Sequence, residues 1–199
     1  GVSTYLPAVA VFLLEKEADI IGKAIEKPKK PMVAIIGGAK AETKITLIDR
    51  LLEKADTLIV GGGVANTFLK AFGYEVGNSL VDDEMVELAK KLFWKASRSQ
   101  TRMLLPTDVV LGDIEKNIHS GVVLSEKMPK GMQALDIGPR TQAEFGTAIA
   151  GASTIIWNGP MGVYEDSRYV TGTDFVYHAI AENKDSLSIV GGGDTLAAL

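Results

Sequence analysis

Short, nearly uninterrupted apolar runs alternate with amphipathic stretches along most of the chain. Such runs are typical of strands buried on both faces, whereas apolar residues three or four positions apart are typical of helices. The pattern predicts strands at 32–36, 57–60, 101–105, 107–111, 121–124, 153–157 and 186–190, and helices at about 43–54, 64–72, 82–96, 139–150 and 171–183. Because alternating strands and helices favour right-handed crossovers, we expect an α/β fold: a doubly wound, mostly parallel sheet with helices on both faces, a Rossmann-like three-layer sandwich.

The beginning of the chain follows a different pattern. Apolar residues recur at helical spacing between Ser3 and Glu26, which predicts one amphipathic helix or two. Pro28 and Pro31 end this pattern, because a proline disfavours helical geometry in the residue before it. We therefore expect residues 1–30 to form a helix and a linker, and residues 31–199 to form the compact domain.

Three glycine clusters each follow a predicted strand. They are Gly37-Gly38, Gly61-Gly62-Gly63 and Gly191-Gly192-Gly193. Such clusters predict bare backbone N–H groups at the carboxyl ends of strands, where the N-termini of the following helices attract anions. A single pair of glycines could be no more than a tight turn, but three clusters at one edge of a sheet favour a phosphate site.

The composition disfavours several classes of protein. The absence of cysteine among 199 residues excludes disulfides, thiolate zinc sites and thiol nucleophiles, and it fits a reducing cytoplasm. A net charge of −4, spread along the chain, argues against a nucleic-acid partner. The uncharged stretch from Tyr5 to Leu14 is too short to cross a bilayer, so we expect no membrane partner. The chain begins with Gly1 rather than methionine and ends in what resembles the first turn of a helix, so we expect both of its ends to be cuts.

Two lysines stand beside the first glycine cluster, four positions apart. If the following helix has begun there, Lys40 and Lys44 project from one face of it and repel each other unless an anion lies between them. They could be two solvated surface lysines. Next to Gly37 and Gly38 they are better interpreted as clamps on a polyphosphate.

Acidic residues accompany the other predicted loops. Asp194 follows the third glycine cluster and could be a helix N-cap, a ligand of Mg²⁺ beside a phosphate-binding turn, or both. Glu165 lies in a loop that begins at Asn158 and could accept hydrogen bonds from sugar hydroxyls. The acidic run Asp82-Asp83-Glu84 predicts helix capping rather than a metal site.

The common nucleotide-binding motifs are incomplete. Gly61 and Gly63 occupy the first and third places of a dinucleotide fingerprint, but Asn66 stands at the last place, and the P-loop pattern is absent. A nicotinamide oxidoreductase and a P-loop enzyme are therefore disfavoured. His119 and His178 have no partners at the spacing of a metal site or a catalytic triad.

Five segments, taken together and in order, are far more specific than any one of them. They are Gly37-Gly38-Ala39-Lys40 with Lys44, Gly61-Gly62-Gly63 running into Thr67-Phe68-Leu69, Leu135 to Pro139, Trp157 to Glu165, and Gly191 to Thr195. In this order they closely resemble the phosphoglycerate kinase family, and the resemblance covers essentially the whole chain.

The resemblance implies a two-lobed enzyme that reversibly transfers a phosphoryl group between 1,3-bisphosphoglycerate and ADP, giving 3-phosphoglycerate and ATP in glycolysis. This chain resembles the nucleotide lobe with Mg²⁺ and ADP or ATP as its ligands, entered through the helix that joins the lobes. The lobe for 3-phosphoglycerate and a carboxyl-terminal segment are missing, so we expect a monomeric chain that is inactive alone. The alternative is a stand-alone adenine-nucleotide-binding domain without transfer activity.

The resemblance also assigns residues. Lys44 would contact the nucleotide phosphates, Lys40 would reach the phosphoryl group in transfer, and Asp194 would bind Mg²⁺. The other implied nucleotide-binding residues are Gly37, Gly38 and Ala39 at the floor, Gly61, Gly62, Leu80, Leu135, Pro160 and Val163 around the adenine, Glu165 at the ribose, Asn158 near the phosphates, and Gly191, Gly192, Gly193 and Thr195 at the phosphate-holding turn, with Gly193 also catalytic.

The sequence departs from the family pattern at two places near the implied site. Ala41-Glu42-Thr43 replaces the commoner Val-Ser-Asp, which leaves the cap of the following helix open. Gln133 stands where an apolar residue against the adenine is common, which leaves open how closely the base is enclosed.

Overall fold

A computed structural model describes residues 26–198, so the helix expected between Ser3 and Glu26 lies outside the described residues except at its last position. The strands are β1 (Met32–Ile36), β2 (Thr57–Val60), β3 (Arg102–Leu104), β4 (Asp108–Asp113), β5 (Ile118–Leu124), β6 (Gln133–Ile137), β7 (Thr154–Asn158) and β8 (Leu187–Gly191). The helices are α1 (Glu42–Leu51), α2 (Gly62–Ala71), α3 (Val86–Ser97), α4 (Pro139–Ala150), α5 (Thr171–Glu182) and α6 (Gly193–Ala197). Within this part of the chain, no helix is long and apolar enough to cross a membrane.

Five parallel strands form the central sheet in the order β3-β2-β1-β7-β8. Side chains of β1 alternate between its two faces: Ala34 and Ile36 pack with α1, α2 and α3, whereas Val33 and Ile35 pack with α4 and α5. Helices therefore cover both faces, and the strand order reverses its direction at β1. The predicted doubly wound α/β fold is confirmed.

A second sheet was not expected. Strands β4, β5 and β6 pair antiparallel in the order β5-β4-β6, apart from the parallel sheet. The sequence had indicated β4 and most of β5, but it had missed β6. Asp136 interrupts the apolar positions of β6, so this strand shows no apolar run. The small sheet packs with the second helix through a cluster that includes Leu69, Val109 and Leu111.

The acidic run before α3 caps a helix, but not the expected one. The predicted helix over 82–96 begins as a short 3₁₀ turn, Asp83–Met85, ahead of α3. The Asp82 carboxylate accepts a hydrogen bond of 3.0 Å from the N–H of Glu42, in the first turn of α1. Ala41, at the N-cap of α1, has no side-chain oxygen to do this. Asp82 therefore supplies the missing cap from another part of the chain.

The helix α4 is capped in the same way, by Asp108 of β4. This buried carboxylate accepts hydrogen bonds from the N–H groups of Arg140 (3.1 Å) and Thr141 (2.8 Å). Negative charge at a helix N-terminus is stabilising because the first N–H groups of a helix have no acceptor within it. The contact fixes α4, on the parallel sheet, to the antiparallel sheet.

Candidate nucleotide site

The carboxyl ends of β1, β2, β7 and β8 meet at one edge of the parallel sheet, as their register requires. The chain leaves β1 toward β2 on one side, and β7 lies on the other side. In doubly wound sheets such a reversal opens a crevice outside the strand ends, where ligands bind. Two adjacent cavities lie here, with volumes of about 340 Å³ and 290 Å³.

Four glycines of the first two clusters use their N–H groups in hydrogen bonds within the protein. Gly37 donates to the carbonyl of Asn158 (2.9 Å), Gly38 to that of Pro160 (2.8 Å), and Gly62 to that of Met161 (3.2 Å). Gly61 donates to Ile36 at the end of β1 (2.9 Å). The expectation of bare N–H groups at these four glycines is therefore wrong: they join three strand-end loops to one another.

Glycine is required here because the backbones approach one another so closely. A Cβ atom on Gly37 would lie 2.2 Å from the carbonyl oxygen of Pro160, and one on Gly159 would lie 2.2 Å from that of Gly37. Gly159 also has a φ of +97°, which disfavours residues with a side chain. The glycines in these loops thus serve packing first, and they shape the floor of the crevice.

The third cluster differs from the first two. Gly192 has a φ of +97°, and a Cβ on Gly193 would meet no atom within 4 Å, so Gly193 faces open space at the start of α6. Thr195, by contrast, is buried. Its hydroxyl donates to the carbonyl of Gly191 (2.8 Å) and accepts from the N–H of Gly159 (2.6 Å), which ties the turn to the loop after β7.

The smaller cavity is polar and contains both candidate lysines. Lys44, on α1, donates to the side-chain oxygen of Asn158. Lys40 is exposed and precedes α1, which begins at Glu42. The condition for a shared helical face is therefore not met, yet both lysines line one cavity. The lining residues are Gly38, Ala39, Lys40, Thr43, Lys44, Asn158, Gly159, Gly192, Gly193, Asp194 and Thr195.

The larger cavity is a mostly apolar cleft between the two sheets. Leu135 and Val163 line it, and Leu80 reaches its rim with 57% of its surface exposed. Gln133 also lines the cleft, but its side-chain oxygen accepts from the N–H of Ile114 (3.1 Å), which holds it against the wall. The predicted residues that line this cleft are Gly38, Ala39, Gly62, Leu80, Leu135, Pro160, Val163, Glu165 and Asp194.

The two cavities share Gly38, Ala39 and Asp194 as lining residues, so the apolar cleft adjoins the polar cavity. Three predicted contact residues, Gly37, Gly61 and Gly191, line neither of them. They belong to the backbone that supports the lining residues, without lining a cavity themselves.

Asp136 lines the cleft and had not been identified from the sequence as a site residue. Burial raises the pKa of its carboxyl from 3.8 to about 7, although hydrogen bonds from the N–H groups of Gly172 (2.7 Å) and Ile137 (2.8 Å) oppose the shift. An acidic residue within the motif from Leu135 to Pro139 was the available signal. The burial of its carboxyl could not be deduced without the fold.

Within residues 26–198 there is no cluster of three or more side chains that could hold a metal ion by themselves. Asp194, an exposed carboxylate in the polar cavity, could still bind Mg²⁺ together with the oxygens of a bound phosphate, because Mg²⁺ commonly takes only one or two protein carboxylates and keeps several waters. The donor set therefore fits a metal ion that arrives with a phosphate ligand.

The family model for phosphoglycerate kinase matches residues 1–199. The chain belongs to the phosphoglycerate kinase family. A phosphoglycerate kinase of Moorella thermoacetica is 50% identical over 200 residues, which cover 100% of this chain and 51% of that protein. The chain spans about half the length of the curated relatives it matches.

Solved structures of the phosphoglycerate kinase family share the fold. The structure from Coxiella burnetii has a TM-score of 0.90 at 42% identity, covering 94% of this chain and 48% of that one. The enzyme from Pyrococcus horikoshii OT3 has a TM-score of 0.80 at 28% identity, covering 96% of this chain and 49% of that one. The resemblance found in the sequence is confirmed.

The packing of the glycine loops predicts that two similar substitutions differ greatly in their effect on stability. We expect Gly159→Ala to lower the free energy of unfolding by about 2 kcal/mol or more, because its Cβ would overlap the Gly37 carbonyl at a positive φ. Gly193→Ala is the matched control and should change it by no more than about 0.5 kcal/mol, since its Cβ meets open space. Urea unfolding of both variants measures the difference. Equal effects would contradict the packing argument.

The buried carboxyl of Asp136 predicts a pH-dependent stability. With a pKa of about 7 in the folded chain and about 3.9 in the unfolded chain, the folded state binds more protons between these values. Its contribution is therefore fully present below pH 4 and is lost as the pH rises through 7. Relative to Asp136→Asn, the wild-type chain should lose up to about 4 kcal/mol over this range. Urea unfolding at a series of pH values tests this; a constant difference above pH 5 would show an ordinary carboxyl.

Proposed function

We propose that this chain is the nucleotide-binding lobe of a kinase that reversibly transfers a phosphoryl group between 1,3-bisphosphoglycerate and ADP in glycolysis, giving 3-phosphoglycerate and ATP. One observation carries the proposal: an apolar cleft adjoins a polar cavity that is lined by two lysines and a carboxylate. A flat apolar base and a charged phosphate chain, joined by a sugar, require this sequence of environments. Membership of the family supports the same assignment.

The adenine base would lie in the cleft between the two sheets. Leu135 comes from the antiparallel sheet, whereas Pro160 and Val163 come from the loop after β7, so the base would be held between two apolar walls. Glu165, exposed in the same cleft, would accept hydrogen bonds from the ribose hydroxyls. Gly62 and Leu80 complete the proposed enclosure.

The phosphates would lie in the polar cavity. Lys44, oriented by its hydrogen bond to Asn158, would neutralise the phosphates of the bound nucleotide. Lys40, which extends from the loop before α1, would reach the phosphoryl group in transfer, next to the open turn at Gly193. When bound, Mg²⁺ would supply further positive charge between phosphate oxygens, with Asp194 as its protein ligand.

The reaction would need no covalent intermediate on the protein. Phosphoryl transfer depends on aligning the two substrates and on neutralising charge, and lysines beside a helix start are suited to the second task. Described arginines of this chain, Arg50, Arg98, Arg102, Arg140 and Arg168, do not line the polar cavity. The second substrate would therefore bind to a lobe outside this chain.

The proposal extends to the organisation of the protein. Residues 1–30 would form the interdomain helix and linker, and residues 31–199 would form the nucleotide domain of a monomeric, cytoplasmic enzyme. Lys29 and Pro31 accept hydrogen bonds from Thr154 of β7, which attaches the proposed linker to the sheet. A stand-alone nucleotide-binding domain without transfer activity is the alternative function.

Calorimetric titration with Mg-ADP tests the nucleotide site. Lys44→Ala should weaken binding by about 1.5–3 kcal/mol, the range for a charge-assisted contact, and Lys40→Ala should weaken it less because its proposed partner is the moving group. Lys91→Ala, an exposed lysine of α3, is the control and should bind as the wild type does. Negligible losses at both Lys40 and Lys44, or tight binding of NAD⁺ without ADP, would contradict the proposal.

A coupled assay with Mg-ATP and 3-phosphoglycerate separates the kinase from the alternative. The chain alone should remain at background, because the positioning of two substrates in line is worth several powers of ten in rate. Joining it in one polypeptide to the lobe for 3-phosphoglycerate and to the carboxyl-terminal segment of its family should restore turnover. In that joined protein, Lys40→Ala should reduce turnover. If the joined protein binds nucleotide but stays inactive, the stand-alone binding domain is favoured.

A further inference from the structure

A buried tyrosine holds the loop that carries Glu165 to the antiparallel sheet. Tyr169 is fully buried, and its hydroxyl donates to the carbonyl of Ile118 at 3.1 Å, at the beginning of β5. Burial raises the pKa of this phenol, so the hydroxyl keeps its proton and remains a donor. The loop after β7 is thus attached to the antiparallel sheet on both sides of Glu165: by this hydrogen bond, and by the one that the N–H of Val163 donates to the carbonyl of Leu135 (2.9 Å).

The antiparallel sheet is shaped to receive this hydroxyl. A Cβ on Gly112 of β4 would lie 2.1 Å from the Tyr169 oxygen, so a side chain there would displace the tyrosine. The pairing of β4 with β5 also shifts register between Leu111 and Gly112. Such an irregularity bends a strand locally and often accompanies a close contact.

The segment between Val163 and Tyr169 is a compact turn. Asp166 donates its N–H to the carbonyl of Val163 (3.1 Å), and Tyr169 donates its own to the carbonyl of Asp166 (2.8 Å). The Asp166 carboxylate accepts from Nε of Arg168 at 2.9 Å, and the guanidinium lies 5.3 Å from the centre of the Tyr169 ring. The ion pair lowers the pKa of Asp166 to about 2, so it persists at neutral pH.

Glu165 lies inside this turn, with an exposed side chain in the cleft. We propose that Tyr169 is a positioning residue for the ribose contact: by anchoring the turn to Ile118, it holds the Glu165 carboxylate where the sugar hydroxyls of a nucleotide arrive. This inference rests on the proposed function. A contact that is fixed before binding costs less conformational freedom when the ligand arrives.

The substitution Tyr169→Phe tests this role, because it removes the hydroxyl and keeps the buried ring. Titrations with Mg-ADP and with Mg-2′,3′-dideoxy-ADP, which lacks both ribose hydroxyls, separate the sugar contact from every other contact. We expect ADP to bind about 3- to 10-fold more weakly, the effect of one lost hydrogen bond, and dideoxy-ADP to bind as it does to the wild type. Tyr177→Phe, at an exposed tyrosine of α5, is the control and should change neither affinity.

A double-substitution cycle checks that the effect passes through Glu165. In a chain that already carries Glu165→Gln, adding Tyr169→Phe should cause no further loss of ADP affinity. Asp166→Asn weakens the same turn by removing its ion pair with Arg168, and it should likewise reduce binding of ADP alone. If Tyr169→Phe does not fold, the Asp166→Asn variant is used in its place to test the positioning role.

The outcomes separate this inference from the function on which it rests. If Glu165→Gln reduces the preference for ADP over dideoxy-ADP but Tyr169→Phe does not, the positioning role is overturned and the nucleotide site stands. Equal losses for both nucleotides in Tyr169→Phe would show general destabilisation and also overturn the role. If Glu165→Gln leaves the preference unchanged, the ribose contact itself is overturned.

Discussion

The close approach of backbones at the carboxyl edge of the parallel sheet is the constraint on which the site depends. Gly37 and Gly159 lie so near each other that neither position has room for a Cβ atom, and N–H groups of the first loop donate to carbonyls of the loop after β7. This contact brings α1, with Lys44, against Asn158. Without it, the polar cavity would lose its floor and Lys44 would lose the hydrogen bond that orients it.

Much of the parallel sheet could be predicted from the sequence because its strands are buried on both faces. Such strands appear as short apolar runs, and the glycines that follow them mark where the chain turns. The cavity-lining residues Lys40, Lys44 and Asp194 could be found because they stand next to these turns. The hydrogen-bond state of the glycines could not be found, since a glycine needed for packing and one that is open to a ligand look alike in a sequence.

The features that the sequence did not reveal all depend on contacts between distant segments. Asp82 caps α1 from a distant part of the chain, a contact that no local pattern indicates. Strand β6 was not predicted because the buried Asp136 interrupts its apolar residues. The partner of Tyr169 belongs to another sheet. The pattern of apolar and polar residues within one segment indicates which face of that helix or strand is buried. These contacts form between two elements that are distant in sequence, so neither segment's pattern shows them.

The walls of the cleft differ in origin, and this has an evolutionary consequence. The antiparallel sheet contributes Leu135 and Gln133, whereas the glycine loops of the parallel sheet form the part that adjoins the lysines. Substitutions in the first wall can change the shape of the cleft without altering the backbone contacts beneath the lysines. In a protein built in this way the two parts of the crevice rest on different supports, so they are free to evolve at different rates.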